Sequence, residues 1–271
     1  MGMDIAVDEA ALIGRGRTAE VYAWKDAAVL KLFVAGFPTS LASQEVQGLR
    51  AANSAGVPSP RLLEVVTVDG RDGIVMERLA GQTMQQLLAA RPYLVPHYAR
   101  LFAELQAQMH SCHAPGLLSR KESLAKHIVR AGTTSYVKSL ALARLDLLPD
   151  GDTLCHGDLH PDNVLMTAKG PVIIDWSFSA AGNPASDAAR TALMLRTSNA
   201  PGTRFQNNWV DREARTLFHQ TWFRRYRDLQ RPAAQSMHDW LLPVAVARFA
   251  DGLPDEHEVL ASLIARLVGR H

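Results

Sequence analysis

The chain has 271 residues, 47% of them hydrophobic and 21% charged, with a formal net charge of +2. That balance describes a globular protein of one large domain or two lobes with ample material for a core. Acids and bases are mixed without long single-sign runs, which gives no reason to expect nucleic acid as a partner, and no apolar run approaches the roughly 18 residues that span a bilayer.

The start, MGMDIAVDEAAL, carries acids where a signal peptide carries Lys or Arg. Ala6 stands where a myristoylation pattern wants Ser or Thr. Secretion and membrane attachment are therefore not expected. Cys112 and Cys155 form no CxxC pair and no disulfide framework, so both are expected as reduced thiols, which fits the cytoplasm.

Through about residue 80 the segments ALIGRG, AEVYAW, AAVLKLF, RLLEVV and DGIVMERL alternate in period two, with hairpin turns at Lys25-Asp26 and Asp69-Gly70. Between the third and fourth, SLASQEVQGLRAANSAG places Leu41, Val46, Leu49 and Ala52 at helical spacing, with Ser40 as N-cap and Gly56 as C-cap. This predicts an antiparallel sheet of about five strands carrying one helix. After Gly81 the period becomes helical in TMQQLLAARPY, VPHYARLFAELQAQMHSCH, 122–130 and 134–145. Two short apolar strands, about 163–166 and 171–174, flank a Lys169-Gly170 turn. From about 184 onward the pattern is helical again, broken at Pro201-Gly202, Arg231-Pro232 and Leu253-Pro254. The fold class is thus α+β and two-lobed, a small sheet lobe (1–80) before a larger helical lobe (81–271), with a cleft between them as the expected ligand site.

Residues 154–165, LCHGDLHPDNVL, concentrate polar chemistry between apolar flanks. His156 and His160 are four apart, as in the HExxH zinc motif, but Pro161 turns His160 away from the helical region, Gly157 weakens a helix, and no Glu follows His156. A zinc site is therefore not expected. Asp158 and Asn163 instead match the D-x-x-x-x-N of a kinase catalytic loop, and Asp175 follows the apolar strand PVIID. A carboxylate there orients an acceptor hydroxyl, while an amide oxygen and a second carboxylate are the hard ligands Mg²⁺ takes.

By itself D-x-x-x-x-N is common in polar turns. Its company makes it specific. Gly14, Gly16, Thr18 and Val21 fall in a G-x-G-x-x-G-x-V phosphate loop, with Ala19 in place of the last glycine. Lys31 interrupts the apolar strand AVLKLF, where a buried ammonium needs a phosphate or carboxylate. Glu45, on the following helix, supplies a partner.

These residues identify a resemblance to the aminoglycoside phosphotransferase and choline kinase-like family, small-molecule kinases with the protein-kinase fold. HGDLHPDNVL and VIIDW carry it, supported by EVQGLRAANSAGVPSPRLLEV, IVMERLAG, AELQAQMH and Asp187 in GNPASDAART, over about residues 11–198. The resemblance implies that Asp158 is the catalytic carboxylate, that Asn163 and Asp175 ligate Mg²⁺, and that Lys31, held by Glu45, contacts the nucleotide phosphates. The backbone of Met76, Glu77, Arg78 and Leu79 would be the hinge that binds the purine of ATP or GTP. His156 and Asp187 would brace the catalytic loop. Gly157 stands where protein kinases have the Arg of HRD, and Trp-Ser follows Asp175 where they have Phe-Gly, so a small hydroxyl-bearing acceptor is expected rather than a folded protein. A non-catalytic nucleotide-binding pseudokinase is the alternative, and a metal-dependent hydrolase a distant one.

The acceptor pocket is expected from 115–150 and the C-terminal helices. A cationic antibiotic calls for acids there, whereas the segment from Arg190 to Arg231 carries nine arginines, read as a largely solvated helix face. Trp209, Trp222, Phe223, Tyr226 and Trp240 are read as core.

Overall fold

The computed structural model describes residues 11–16, 18–25, 27–197 and 209–269. The first ten residues, Arg17, Asp26, the Pro201-Gly202 break and Arg204 lie outside them, as does the side chain of Trp209. The first part is a five-stranded antiparallel sheet of β1 (Leu12–Arg15), β2 (Ala19–Trp24), β3 (Ala28–Phe33), β4 (Leu62–Val68) and β5 (Arg71–Glu77). Its order is β1-β2-β3-β5-β4, with α1 (Thr39–Ser54) between β3 and β4. β3 is central and covered on both sides, as a strand that is apolar at every position but Lys31 requires. Leu30 and Leu32 pack with Val66, Val68 and Val75, while Phe33 joins Ile74, Val46 and Leu49 in the main core. Alternation along the strand puts Lys31 on the second side.

Gly56 (φ +69°) ends α1 as expected, with Val57 N–H donating to Ala52 O at 3.0 Å and Gly56 N–H to Asn53 O at 3.2 Å. The start differs from the expectation. Pro38, at φ −62° and ψ 121°, sets the entry, so Thr39 opens the helix and Ser40 is already its second residue; no side chain caps it.

The second part is mostly helical: α2 (Met84–Ala90), α3 (Val95–Met109), α4 (Arg120–Arg130), α5 (Ser135–Leu147), α6 (Pro184–Thr197), α7 (Trp209–Leu229), α8 (Arg231–Phe249) and α9 (Pro254–Val268). Thr83, Ser119 and Thr134 cap α2, α4 and α5 with their hydroxyls, which satisfies backbone amides that the first turn leaves unpaired. Strands β6 (Gly81–Thr83), β8 (Val164–Thr167) and β9 (Gly170–Ile173) form one small sheet, and β7 (Thr153–Cys155) pairs with β10 (Ala180–Gly182). β6, β7 and β10 have three residues each, too few to show a period in sequence.

Trp222, Tyr226 and Trp240 are fully buried and Phe223 packs against the same core, in line with the sequence reading. One continuous apolar cluster runs from α1 and the sheet through α3, α6 and α8, so the two parts share packing around the polar loops between them. Among the described residues no helix is long and apolar enough to cross a membrane.

Candidate active site

Antiparallel register aligns Gly14 with Val21, Val21 with Lys31, and Lys31 with Ile74. The glycine hairpin and the lysine therefore share one row across the sheet. Among the described residues nothing demands glycine in that hairpin: an added Cβ at Gly14 would come no closer than 3.7 Å to Val21, and one at Gly16 would meet Ala19 O at 3.4 Å. Thr18 contributes its carbonyl to Val34 N–H at 3.0 Å.

From that row Lys31 Nζ reaches both oxygens of Glu45, at 2.7 and 2.8 Å, and Asp175 Oδ1 at 3.1 Å. Glu45 is 2% exposed on the inner face of α1, whose buried residues Ala42, Glu45, Val46, Leu49 and Ala52 recur at helical spacing. Burial opposes the charge on Lys31, but Glu45 and then Asp175 outweigh it and hold its pKa above the ordinary lysine value. Ser177 closes the ring, with Oγ 2.6 Å from Asp175 Oδ1 and 2.7 Å from Glu45 Oε2. α1 sits hard against this loop. A Cβ on Gly48 would lie 2.7 Å from Ser179 Cβ and 3.1 Å from Trp176 O, and Gln44 donates to Ser179 O at 2.9 Å.

The 156–163 loop is held by Asp187, at 1% exposure on α6. Its carboxylate accepts from His156 N–H (3.2 Å), Gly157 N–H (2.6 Å) and His110 Nε2 (3.1 Å). His156 is fully buried, edge-on to Trp176. Its Nδ1 accepts from Asp158 N–H at 3.2 Å, so Nε2 carries the proton and donates to Ile174 O at 3.1 Å. Burial lowers its pKa and keeps the ring neutral. Thus neither histidine of this loop stands in a metal cluster, and among the described residues no group of three or more His, Cys, Asp or Glu is arranged to hold an ion.

The side chain of Asn163 meets the backbone of Asp158. Asn163 Nδ2 donates to Asp158 O at 3.0 Å and Asn163 O accepts from Ile174 N–H at 3.0 Å, which places the asparagine beside the residue before Asp175. Asp175 has φ +62°, a left-handed backbone that non-glycine residues adopt at some cost, and its side chain is 45% exposed. Asp158 Oδ2 lies 3.6 Å from His160 Nε2. Burial favours the protonated form of Asp158, but the neighbouring His160 and the charges of Arg190 and Arg248 hold its carboxyl below the usual range.

At the hinge, Glu77 N–H donates to Arg61 O and Arg78 N–H to Ala27 O, both at 2.9 Å. Met76 is taken up in pairing with Val29 and Leu62. The Leu79 amide has no protein acceptor among the described residues, unlike those of the other three residues expected at the hinge.

Sequence reasoning missed two features. Ser177 carries a signal only in hindsight, two residues after Asp175. Arg190, read as part of a solvated face, is 5% exposed and reaches Asp158 Oδ1 at 3.2 Å; the face of α6 that bears it packs onto α8. Arg224 and Arg227 are exposed, as read.

A family model described as "Phosphotransferase enzyme family" matches residues 9–234. Among solved structures, a thermostable mutant of aminoglycoside phosphotransferase APH(4)-Ia is similar over 97% of this chain and 94% of its own, at 15% identity and TM-score 0.66. A choline/ethanolamine kinase family protein from Mesorhizobium loti is similar over 95% and 86%, at 17% identity and TM-score 0.56. At such identities the likeness shows the fold: a protein-kinase-like α+β architecture. No curated protein sequence matches the chain.

Proposed function

The chain belongs to the phosphotransferase enzyme family, and from that premise we propose that it moves the γ-phosphoryl group of ATP or GTP, with Mg²⁺, to a hydroxyl of a small molecule. The observation that carries this reading is the convergence of Lys31, Glu45 and Asp175 in one ion-paired ring beside Asp158 and Asn163.

The donor set fits a hard divalent cation. Asp175 Oδ1 is engaged by Lys31 and Ser177 while Oδ2 has no partner among the described residues, and Asn163 spends its NH₂ on Asp158 O while its amide oxygen accepts from no described donor. Two unspent oxygens on adjacent loops are what Mg²⁺ takes. Asn163 and Asp175 would hold the ion, which would offset the charge of the phosphates. Lys31, kept charged by Glu45, faces the α- and β-phosphates, and the hairpin of Gly14, Gly16, Thr18 and Val21 has room for them to approach. The Leu79 amide and the hinge of Met76 and Glu77 receive the purine.

Asp158 orients the acceptor hydroxyl for in-line attack: the new O–P bond forms as the bond to the β-phosphate oxygen breaks, ADP leaves with the electron pair, and the proton passes through the carboxylate to solvent. A carboxylate held below the usual pKa range is a weak base, and that suffices for a loose transition state in which positioning and charge stabilisation do most of the work.

A solved structure of similar fold holds AMP-PNP and hygromycin B, and another holds AMP-PNP and Ca²⁺, which supports a nucleotide and an organic acceptor on this architecture. We place nucleotide binding in residues 1–80 and the acceptor pocket in 81–271. Both cysteines are free thiols, which supports a reducing compartment such as the cytoplasm. The test is a phosphotransfer screen of hydroxyl-bearing metabolites and antibiotics with ATP and with GTP, read as nucleoside diphosphate release. Asp158→Ala should abolish transfer and leave nucleotide binding intact; turnover by that variant near the wild-type rate would overturn the assignment.

A further inference from the structure

Asp158 is gripped by a cluster that reaches beyond the stretch matched by the family model. Arg190 Nη2 donates to Asp158 Oδ1 at 3.2 Å and to Asp251 Oδ2 at 2.9 Å. Arg248, near the end of α8, places Nη1 at 3.4 Å from the same Asp158 oxygen and at 3.1 Å from Asp251 Oδ2. Its Nε and Nη2 hold both oxygens of Glu256 on α9, at 3.0 and 2.8 Å. Glu256 in turn accepts from Thr197 Oγ1 of α6 at 3.3 Å. The side chains of Arg190 and Arg248 are 6% and 9% exposed.

This arrangement spends Asp158 unevenly. Oδ1 takes the guanidinium of Arg190 at 3.2 Å and, more loosely, that of Arg248 at 3.4 Å, whereas among the described residues Oδ2 faces only His160, at 3.6 Å, too long for a hydrogen bond. An aspartate carboxylate otherwise turns easily, because its terminal torsion is broad. Buried ion pairs contribute little net stability against apolar packing of the same volume, so stability alone does not account for five charged groups brought together here. The two guanidiniums also offset the charge that Asp158 would bring toward the phosphates.

We infer that Arg190 and Arg248 are positioning residues: they clamp Asp158 by Oδ1 and leave Oδ2 as the oxygen that receives the acceptor hydroxyl. The α8–α9 hairpin, through Arg248, Asp251 and Glu256, thereby belongs to the catalytic machinery. This rests on the reading of Asp158 as the group that orients the acceptor.

The experiment has two arms on the full chain. In the first, MgATP turnover is followed with water as the acceptor. Arg248→Met should lower kcat about 100-fold, as a displaced catalytic group does, with the KM for ATP unchanged within about twofold. Arg248→Lys should recover part of that loss, and Glu256→Gln, which loosens Arg248 without touching Asp158, should fall between. Wild-type kcat in Arg248→Met, or a parallel change in kcat and KM that follows thermal stability, overturns the inference. In the second arm, melting temperatures are compared for Asp158→Asn, Arg248→Lys and the double variant without nucleotide. A clamp predicts a double variant that melts at least about 2 °C above the sum of the single losses, and strict additivity overturns it. Wild-type protein that turns over no nucleotide with water or with any acceptor of the screen defeats the phosphotransferase reading alone, and the melting cycle then still decides the clamp.

Discussion

Gly157→Ala should damage both the stability and the chemistry of the 156–163 loop. Gly157 has φ +81°, and an L-residue in that left-handed region costs about 1–2 kcal/mol. A Cβ would also stand 2.9 Å from the carbonyl carbon and the Cβ of Phe178, with Phe178 O closer still. Carbon pairs settle near about 3.5–4.0 Å, so the two loops must part by ~1 Å. Such overpacking adds about 1–3 kcal/mol, for a total loss of about 2–5 kcal/mol. One of the two loops carries Asp158 and the other Asp175 and Ser177, so a ~1 Å displacement should lower phosphoryl transfer about 100-fold. Gly36 separates the two contributions. It has φ +77° with nothing within 4 Å of an added Cβ, so Gly36→Ala carries only the torsional cost of about 1–2 kcal/mol. Urea unfolding followed by tryptophan fluorescence suits the comparison, because Trp176 is buried edge-on against His156; nucleotide turnover is read in parallel. Equal urea midpoints for the two variants, or wild-type turnover by Gly157→Ala, would refute the steric argument.

Asp187→Asn should cost about 2–4 kcal/mol in urea unfolding, since an amide presents an N–H to donors that a carboxylate accepts from. Against the opposing effect of burial, His110 and nearby charges hold the Asp187 carboxyl below its ordinary range. Its stabilisation is therefore present above ~pH 4 and lost as the pH falls, and the variant should lack that part of the acid limb. Ser177→Ala should release Asp175 and Glu45 from their shared hydroxyl and raise the KM for MgATP about fivefold, for ~1 kcal/mol of lost positioning; an unchanged KM would remove Ser177 from the nucleotide site. Partial burial, and then the nearby charge of Arg196, lower the pKa of the half-buried His219 to about 4. The unfolded chain takes up that proton from about pH 6.5 downward, so stability falls between about pH 6.5 and 4. His219→Gln should flatten urea midpoints across that window, and an unaltered slope would count against the half-buried neutral ring.

The local physics of the sequence determined most of the elements. Period-two alternation and turn residues define β2, β3 and β5, and helical spacing defines α1 and α3, because each segment must show one face to the core wherever it ends up. The pair of Lys31 and Glu45 was legible for a related reason, since a lysine inside AVLKLF is too costly to bury without an acid or a phosphate, whereas the contact of Asp175 with Lys31 came only with the fold. Ser40 failed as a cap because Pro38 fixes the chain entry earlier. Only the tertiary structure decided what surrounds Asp158. Arg190 looked like one arginine among many until α6 packed against α8 and buried it. Arg248 lies 90 residues from Asp158, and Glu256 matters only through Arg248. A charged side chain on a helix reads as solvated by default, and whether it is buried and paired depends on which helix covers it. That information lies in the packing of α6, α8 and α9 rather than in the period of any one of them.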